Sequence, residues 1–403
     1  MTSSQTPQTL QTAPNQHEQT VSDRGNYLRA NMGRQFLFGN SVDILNNGEE
    51  IFPAMLEAID QAKHHIEFQT YVYWDGQISR EFARHLAAAC KRGVEVRVLI
   101  DSFGALYIDK GALKELSESC DFRWFRKLKL FQFWRNFKRT HRKILVCDGE
   151  LGFTGGVGIG KEWMGGGAKP GEWRDTHFRL KGPVIHALQA AFLENWLEAG
   201  QEDDRLTDKL ARACTDRAGQ VTIMPLSSTA SDYWSSAGTL IFAAVAAANK
   251  KLRITTPYFV TDLKLRQWLI SAHERGVDVQ IMIPDFPNFD SRLASLAAIN
   301  CVQPLLKLGI KIYTYKPTFI HSKCIIVDDE VAIVGSINFN QRSQRKDDEF
   351  SLIIDEGPIV NQLISTFKKD REKSTPIKIE RLKRRYRVLG VLARLVHPFR
   401  RHF

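Results

Sequence analysis

His141-Arg142-Lys143-Ile144-Leu145-Val146-Cys147-Asp148 and His321-Ser322-Lys323-Cys324-Ile325-Ile326-Val327-Asp328 carry one spacing twice, H-x-K-(x)4-D. After six intervening residues each aspartate is followed by a small pair, Gly155-Gly156 in the first copy and Gly335-Ser336 in the second. In an extended chain residues i and i+2 share a face, so each histidine projects beside its lysine. The echo extends upstream. Lys91-Arg92-Gly93-Val94-Glu95-Val96-Arg97-Val98-Leu99-Ile100-Asp101 matches Glu274-Arg275-Gly276-Val277-Asp278-Val279-Gln280-Ile281-Met282-Ile283-Pro284-Asp285, each predicting a helix that ends at glycine and a strand that follows. Ile66-Glu67-Phe68-Gln69-Thr70-Tyr71-Val72-Tyr73 likewise matches Leu252-Arg253-Ile254-Thr255-Thr256-Pro257-Tyr258-Phe259. An offset near 180 residues is too long for a solenoid repeat and indicates a duplicated domain.

Strands alternating with helical stretches at 76–90 and 261–273 predict α/β layers, with helices covering a sheet. The boundaries expected are a disordered tail at 1–22, a first repeat at 23–205, a connection at 206–220, a second repeat at 221–370 and a basic amphipathic segment at 371–403. A length of 403 residues suits two large domains. With 43% hydrophobic and 25% charged residues, fibrous and wholly disordered classes are excluded. Residues 1–16 have neither charge nor apolar core, so no signal peptide is expected there. The longest apolar run, 237–248, is too short to span a bilayer. The six cysteines stand singly and read as reduced thiols.

The net charge of +11 is concentrated. Residues 122–140 hold seven cations and no acid, and residues 381–403 hold eight and no acid. The rest of the chain is therefore slightly acidic, and the positive charge forms two patches suited to an anionic partner surface.

Two half-sites related by a pseudo-twofold axis would bring two imidazoles and two ammonium groups to one pocket. That set can handle a phosphodiester without a metal or any other cofactor: one imidazole attacks phosphorus, the other protonates the leaving alkoxide, and the lysines hold the nonbridging oxygens. The reading places His141, Lys143, His321 and Lys323 in the catalytic set. Asp148 and Asp328 join them, although they also stand where a hairpin should turn. Asp175 and Glu349, at equivalent places before the apolar strands that end in Gly182-Pro183 and Gly357-Pro358, are expected to fix the histidine tautomers from behind. The stretch 155–161 nearly completes a P-loop, but Glu162 stands where a magnesium-binding hydroxyl is needed, so that reading fails.

At these residues the chain resembles the phospholipase D superfamily from about residue 39 to 370. Within it, the chain is most similar to the short branch of the bacterial cardiolipin synthase family, the cardiolipin synthase B type. Gly39-Asn40, Thr256-Pro257-Tyr258-Phe259 and Gly335-Ser336-Ile337-Asn338 followed by Gln341-Arg342-Ser343 support the likeness. One departure is Gly158, where the family has asparagine; the second copy keeps Asn338.

The resemblance implies two α-β-α repeats with mixed β-sheets packed together and the active site at their interface. It implies a phosphatidyltransferase that joins two phosphatidylglycerol molecules, or phosphatidylethanolamine and phosphatidylglycerol, into cardiolipin through a phosphohistidine. By analogy His141 is the nucleophile and His321 the acid and base, although the internal symmetry of the sequence does not order them. Gly155, Gly156, Ser336 and Asn338 are expected to bind substrate. Alternatives within the superfamily are a hydrolytic phospholipase D and a nuclease; a third reading is an inactive scaffold.

The partners expected are phospholipids and an anionic membrane surface, with no nucleic acid, at the cytoplasmic side of a bacterial inner membrane. Trp124, Phe125, Phe133 and Trp134, interleaved with cations just before His141, are expected to enter the interfacial layer. The C-terminal basic helix would add a second anchor.

Overall fold

The computed structural model describes residues 20–127, 138–200, 216–231, 233–288, 292–380 and 382. Among these, all strands but one short two-stranded pair build one mixed sheet whose order reads symmetrically from its middle. The first half runs inward from its edge as Asp121–Phe125, Glu95–Asp101, His65–Thr70, Ile144–Cys147, Leu151–Gly155, Thr176–Lys181 and Leu37–Asn46. The second runs outward as Val221–Ser228, Asp347–Ile354, Val331–Gly335, Cys324–Val327, Lys251–Thr255, Asp278–Pro284, Lys311–Tyr315 and Ser374–Pro376.

In each half the three outer matching strands are parallel and the rest antiparallel. The duplication in sequence is therefore a duplication in topology. The two sheets are also continuous, because Leu37–Asn46 pairs antiparallel with Val221–Ser228 across the joint.

The central strands are covered on both faces: every residue of Ile144–Cys147, Val331–Gly335 and Asp347–Ile354 is buried, and the first two are apolar almost throughout. The helix Gln77–Lys91 buries Ile78, Phe82, Leu86 and Ala89, a stripe spaced three or four apart. It and Leu263–Glu274 are both followed by a glycine in the left-handed region, Gly93 at φ +89° and Gly276 at φ +91°, which lets the chain reverse into the next strand.

Two outer cores, around Phe52, Phe68 and Phe82 in one half and Leu240, Ile254 and Ile281 in the other, flank a central one. That central core mixes the halves: Phe178, Phe192 and Trp196 pack in the same cluster as Ile223, Phe350 and Phe367.

The expected boundaries shift at both ends. The helix Asp23–Met32 packs on the second half: Leu28 enters its core, Arg24 pairs with Asp328 at 2.6 Å, and the Ser22 amide donates to Asp355 at 2.9 Å. A polar helix with one buried leucine gains most from a ready-made apolar surface. At the other end Ser374–Pro376 adds a strand to Lys311–Tyr315, so the second repeat continues past residue 370. The connection at 201–215 and nearly all of the basic C-terminal segment lie outside the described residues.

Arg142, between the first histidine and lysine, locks this arrangement. Fully buried, it donates to the carbonyls of Ala191 at 2.6 Å, Ser228 at 3.2 Å and Glu349 at 3.3 Å, and to Asn195 Oδ1 at 3.2 Å. It thereby ties a first-half helix to two second-half strands. Arg142→Met strands three carbonyls, each worth about 1–3 kcal/mol. A loss of roughly 3 kcal/mol or more is expected in urea unfolding, and a stability within error of the parent would contradict this role.

Candidate active site

Each histidine segment is held by the opposite half. Arg139–Thr140 runs parallel to Asp347–Asp348, and the His141 amide donates to the Asp348 carbonyl at 2.8 Å. Phe319–Ile320 runs parallel to Trp173–Arg174, and the His321 amide donates to the Arg174 carbonyl at 2.7 Å. The crossing continues in the side chains. His141 Nδ1 lies 3.1 Å from Glu349 Oε2, and His321 Nδ1 lies 2.6 Å from Asp175 Oδ2. The two carboxylates expected behind the histidines are there, and each serves the histidine of the other repeat.

These contacts fix both tautomers. His141 Nδ1 also lies 3.0 Å from the Ser336 carbonyl, which can only accept, so Nδ1 carries the proton and Nε2 keeps its lone pair for the pocket. The ionised Asp175 does the same for His321. Lys143 and Lys323 each donate to the carbonyl of their own histidine, at 2.7 and 2.8 Å, and the Lys323 ammonium also lies 3.1 Å from His321 Nε2.

Burial and the Lys323 ammonium push Lys143 down to about 7, so the two lysines stand close enough to repel. Burial also holds His141 well below the ordinary imidazole range, with Lys143 and Lys323 adding to the effect. His321 is pushed down to about 3 by burial and Lys323, against the pull of Asp175. The site thus sets two neutral imidazoles beside crowded positive charge, electrostatics that favour an anion.

The carboxylates are not equivalent. Burial alone would raise Asp175, but His321, Lys323 and the Trp163 indole, which donates to it at 2.9 Å, together hold it below the usual carboxylate range. Burial wins at Glu349 and raises it to about 7, despite the bond from the Ser336 hydroxyl and the nearby lysines. The surroundings differ likewise. Trp163 and Trp173 ring His321 at 5.2 Å, with Phe319 and Tyr258 at 6.0 and 6.4 Å. His141 has Tyr71 at 5.4 Å, and the Coulombic neighbours common to both are the ion-paired Arg342 and Asp347, joined at 2.8 Å.

Several expected residues serve other ends. Asp148 accepts from the amides of Lys63, His64 and His65 at 2.7–3.0 Å, and Asp328 from those of Asn249, Lys250 and Lys251 at 2.7–2.9 Å. Both have positive φ, +55° and +53°. They fasten the hairpin turn at the strand end remote from the histidines, so the catalytic assignment is corrected to a structural one. Gly155, Gly156 and Ser336 pack against the residues that hold the histidines. A β-carbon at Gly156 would overlap the Asp175 carboxylate, one at Gly155 would meet His177 at 2.7 Å, and the Ser336 hydroxyl is bonded to Glu349. Asn338, two residues beyond Ser336, is buried, with its Oδ1 lacking a hydrogen-bond partner. At the matching Gly158, a β-carbon would meet Val72 at 2.7 Å and Trp163 at 3.2 Å, so the aromatic wall fills the space an asparagine would need.

Phe125 is fully buried in the central core, which removes it from any membrane contact, and Trp124 is half-buried against Phe122 at 5.0 Å. Successive strand residues face opposite sides, so Phe122 and Trp124 pack on one core and Phe125 on another, and both faces of this strand are covered. Phe133 and Trp134 lie outside the described residues. Trp163, Trp173, Tyr71 and Arg342 were not singled out in sequence. The available signals were weak: Trp173 stands two residues before Asp175, and Arg342 lies within the Gln341-Arg342-Ser343 stretch.

The inequality of the carboxylates gives unequal expectations. Asp175→Asn presents an amide where His321 needs an acceptor and should lower turnover by on the order of 10²–10⁴. Glu349→Gln resembles the protonated acid, and the Ser336 carbonyl still fixes the tautomer, so a loss within about tenfold is expected near pH 6.5. Equal losses in steady-state assays would overturn the distinction.

A cardiolipin synthase, phospholipase D-like domain family model matches residues 55–164 and 241–371. The cardiolipin synthase of Halalkalibacterium halodurans is 33% identical over 367 residues, covering 90% of this chain and 72% of that protein. The major cardiolipin synthase ClsA of Bacillus subtilis is 34% identical over 369 residues, covering 90% and 76%. In three dimensions the chain is similar to a phosphatidylserine synthase of Haemophilus influenzae, with a TM-score of 0.71 over 95% of this chain and all of that one, at 14% identity, a likeness of fold. Matched in two segments by the family model, and 33–34% identical to relatives over 72–76% of their length, the chain belongs to the cardiolipin synthase family of phospholipase D-like proteins.

Proposed function

We propose that the protein is a phosphatidyltransferase that makes cardiolipin from two phosphatidylglycerol molecules. The observation that carries the reading is the pair of crossed imidazole–carboxylate contacts around two lysines. A phosphodiester anion relieves the repulsion between those lysines, and its nonbridging oxygens take their protons in hydrogen bonds.

His141 Nε2 attacks phosphorus while the bond from phosphorus to the glycerol oxygen breaks. His321, protonated once the anion has entered, gives its proton to that oxygen, and glycerol leaves. A hydroxyl of the second phosphatidylglycerol then loses its proton to His321 and attacks phosphorus, and the phosphorus–His141 bond breaks to release cardiolipin. The order follows from the carboxylates. An ionised Asp175 supports the imidazolium an acid needs, whereas a Glu349 near neutrality leaves His141 a neutral nucleophile. Asn338 offers an amide to a phosphate oxygen. Phosphatidylethanolamine fits the same chemistry as donor.

A phospholipid substrate implies a membrane, and the reading extends to peripheral association with a bacterial inner membrane on its cytoplasmic side. No helix among the described residues is long and apolar enough to cross a membrane.

With phosphatidylglycerol vesicles and no nucleotide, the protein should release glycerol and form cardiolipin, read by mass spectrometry of the lipids. Phosphatidic acid as the sole product would replace the synthase with a hydrolase. The order of the histidines is tested with a phosphatidyl nitrophenol, whose leaving group needs no acid. His321→Ala should release about one equivalent of nitrophenolate per site in a burst, and His141→Ala none; the opposite pattern would exchange the roles.

A further inference from the structure

Strand register decides which end of the sheet meets substrate. Gln69 stands opposite Ile144 and Thr255 opposite Cys324, so both His-x-Lys pairs sit at the C-terminal ends of His65–Thr70 and Lys251–Thr255. Thr70 pairs with Ile100, so the loop leaving Asp101 emerges at the same end. It is tethered there: the Asp101 carboxylate accepts from the amides of Phe103 at 2.9 Å, Gly104 at 3.0 Å and Thr140 at 3.1 Å, the last adjoining His141. In the second half the helix Leu263–Glu274 starts at this end. The loop before the helix Ser236–Ala247 is bound to the segment beyond Ser336, with the Ser231 amide donating to the Arg345 carbonyl at 2.8 Å and the Ser235 hydroxyl to the Gln344 carbonyl at 2.6 Å.

Large apolar side chains are exposed at both places. Phe103, Leu106 and Tyr107 are 46%, 54% and 75% exposed, and Tyr233, Phe242 and Leu263 are 87%, 40% and 70%. Of the nine large apolar side chains exposed among the described residues, these are six. Single exposed apolar residues are ordinary, but two clusters at one end of a sheet are not. Cations accompany them. Lys110 and Lys127 are exposed near the first cluster, and Lys264 lies over the Trp234 ring at 5.2 Å in the second.

We propose that these two rim clusters are the surface that seats the catalytic end on an anionic lipid bilayer. This rests on the reading that the substrate is a phospholipid. The imidazoles are buried, with His141 8% and His321 4% exposed, whereas acyl chains are stable only in hydrocarbon. A rim whose apolar side chains enter the boundary between headgroups and acyl chains brings the phosphorus to the pocket mouth while the tails stay immersed. The lysines between the apolar side chains meet lipid phosphates. Each half contributes one cluster, one tethered beside Thr140 and the other to the segment beyond Ser336, so the histidine pair has a contact on either side.

The test uses the full chain and vesicles of phosphatidylglycerol in phosphatidylcholine. Leu106→Ser with Tyr107→Ser, and Tyr233→Ser with Leu263→Ser, should each weaken flotation with vesicles by about tenfold or more. Turnover of a short-chain phosphatidylglycerol below its micelle concentration should stay within about twofold of the parent. In the unaltered protein, hydrogen exchange in 102–108 and 229–235 should slow when vesicles are added. Unchanged flotation in both variants, or unchanged exchange at both loops, would overturn the proposal. So would a concentration-dependent dimer, abolished by the same substitutions, in which vesicles cause no further protection. Flotation requires no turnover, so vesicle binding without cardiolipin would remove the synthase reading and leave the docking surface standing.

Discussion

Each imidazole reaches across the duplication for its carboxylate, and the rest of the site depends on that exchange. A repeat unit by itself has a histidine without its carboxylate and a buried acid without its imidazole. Joined, His321 with Asp175 and His141 with Glu349 satisfy one another. The short parallel pairings of Arg139–Thr140 with Asp347–Asp348 and of Phe319–Ile320 with Trp173–Arg174 make the same exchange in the backbone. Docking of the halves and assembly of the site are therefore one event, and Arg142, bonded to both halves from between His141 and Lys143, belongs to both.

A duplicated site starts with two equal histidines, while transfer of a phosphatidyl group requires two different ones. Small substitutions separate them. Where the second copy has Ser336 bonded to Glu349, the first has Gly156, against which Asp175 packs; where the second has Asn338, the first has Gly158, and Trp163 occupies the room. The Trp163 indole then donates to Asp175, helping hold its negative charge. One side becomes aromatic around an ionised dyad. The other becomes polar around a carboxyl near neutrality, with Arg342 and Asp347 close by. Both differences act through local solvation and hydrogen bonding, since the backbone frame is shared.

The most regular part of the motif had the least to do with chemistry. Asp148 and Asp328 recur at constant distance from the histidines because a four-residue strand and its turn have fixed length, and both bind the backbone amides that begin a neighbouring strand. Constant spacing reports a shared frame as readily as a shared reaction. Phe125 misled in a similar way, since aromatics interleaved with cations are also what a strand with both faces packed looks like: Phe122 and Trp124 turn to one core and Phe125 to another.

Periodicity and internal repetition determined the α/β class, the two halves, the paired histidines and lysines, and the carboxylates at 175 and 349, because these depend on patterns a chain carries locally. Only tertiary structure decided which carboxylate serves which histidine, that the two sheets are continuous, and that the N-terminal helix rests on the second half. Each of these is a contact between segments more than a hundred residues apart, chosen by burial and by the hydrogen bonds open in the partner. The unequal carboxylates belong to the same class. A side chain's charge is set by what surrounds it, and at 175 and 349 the surroundings come from both ends of the chain.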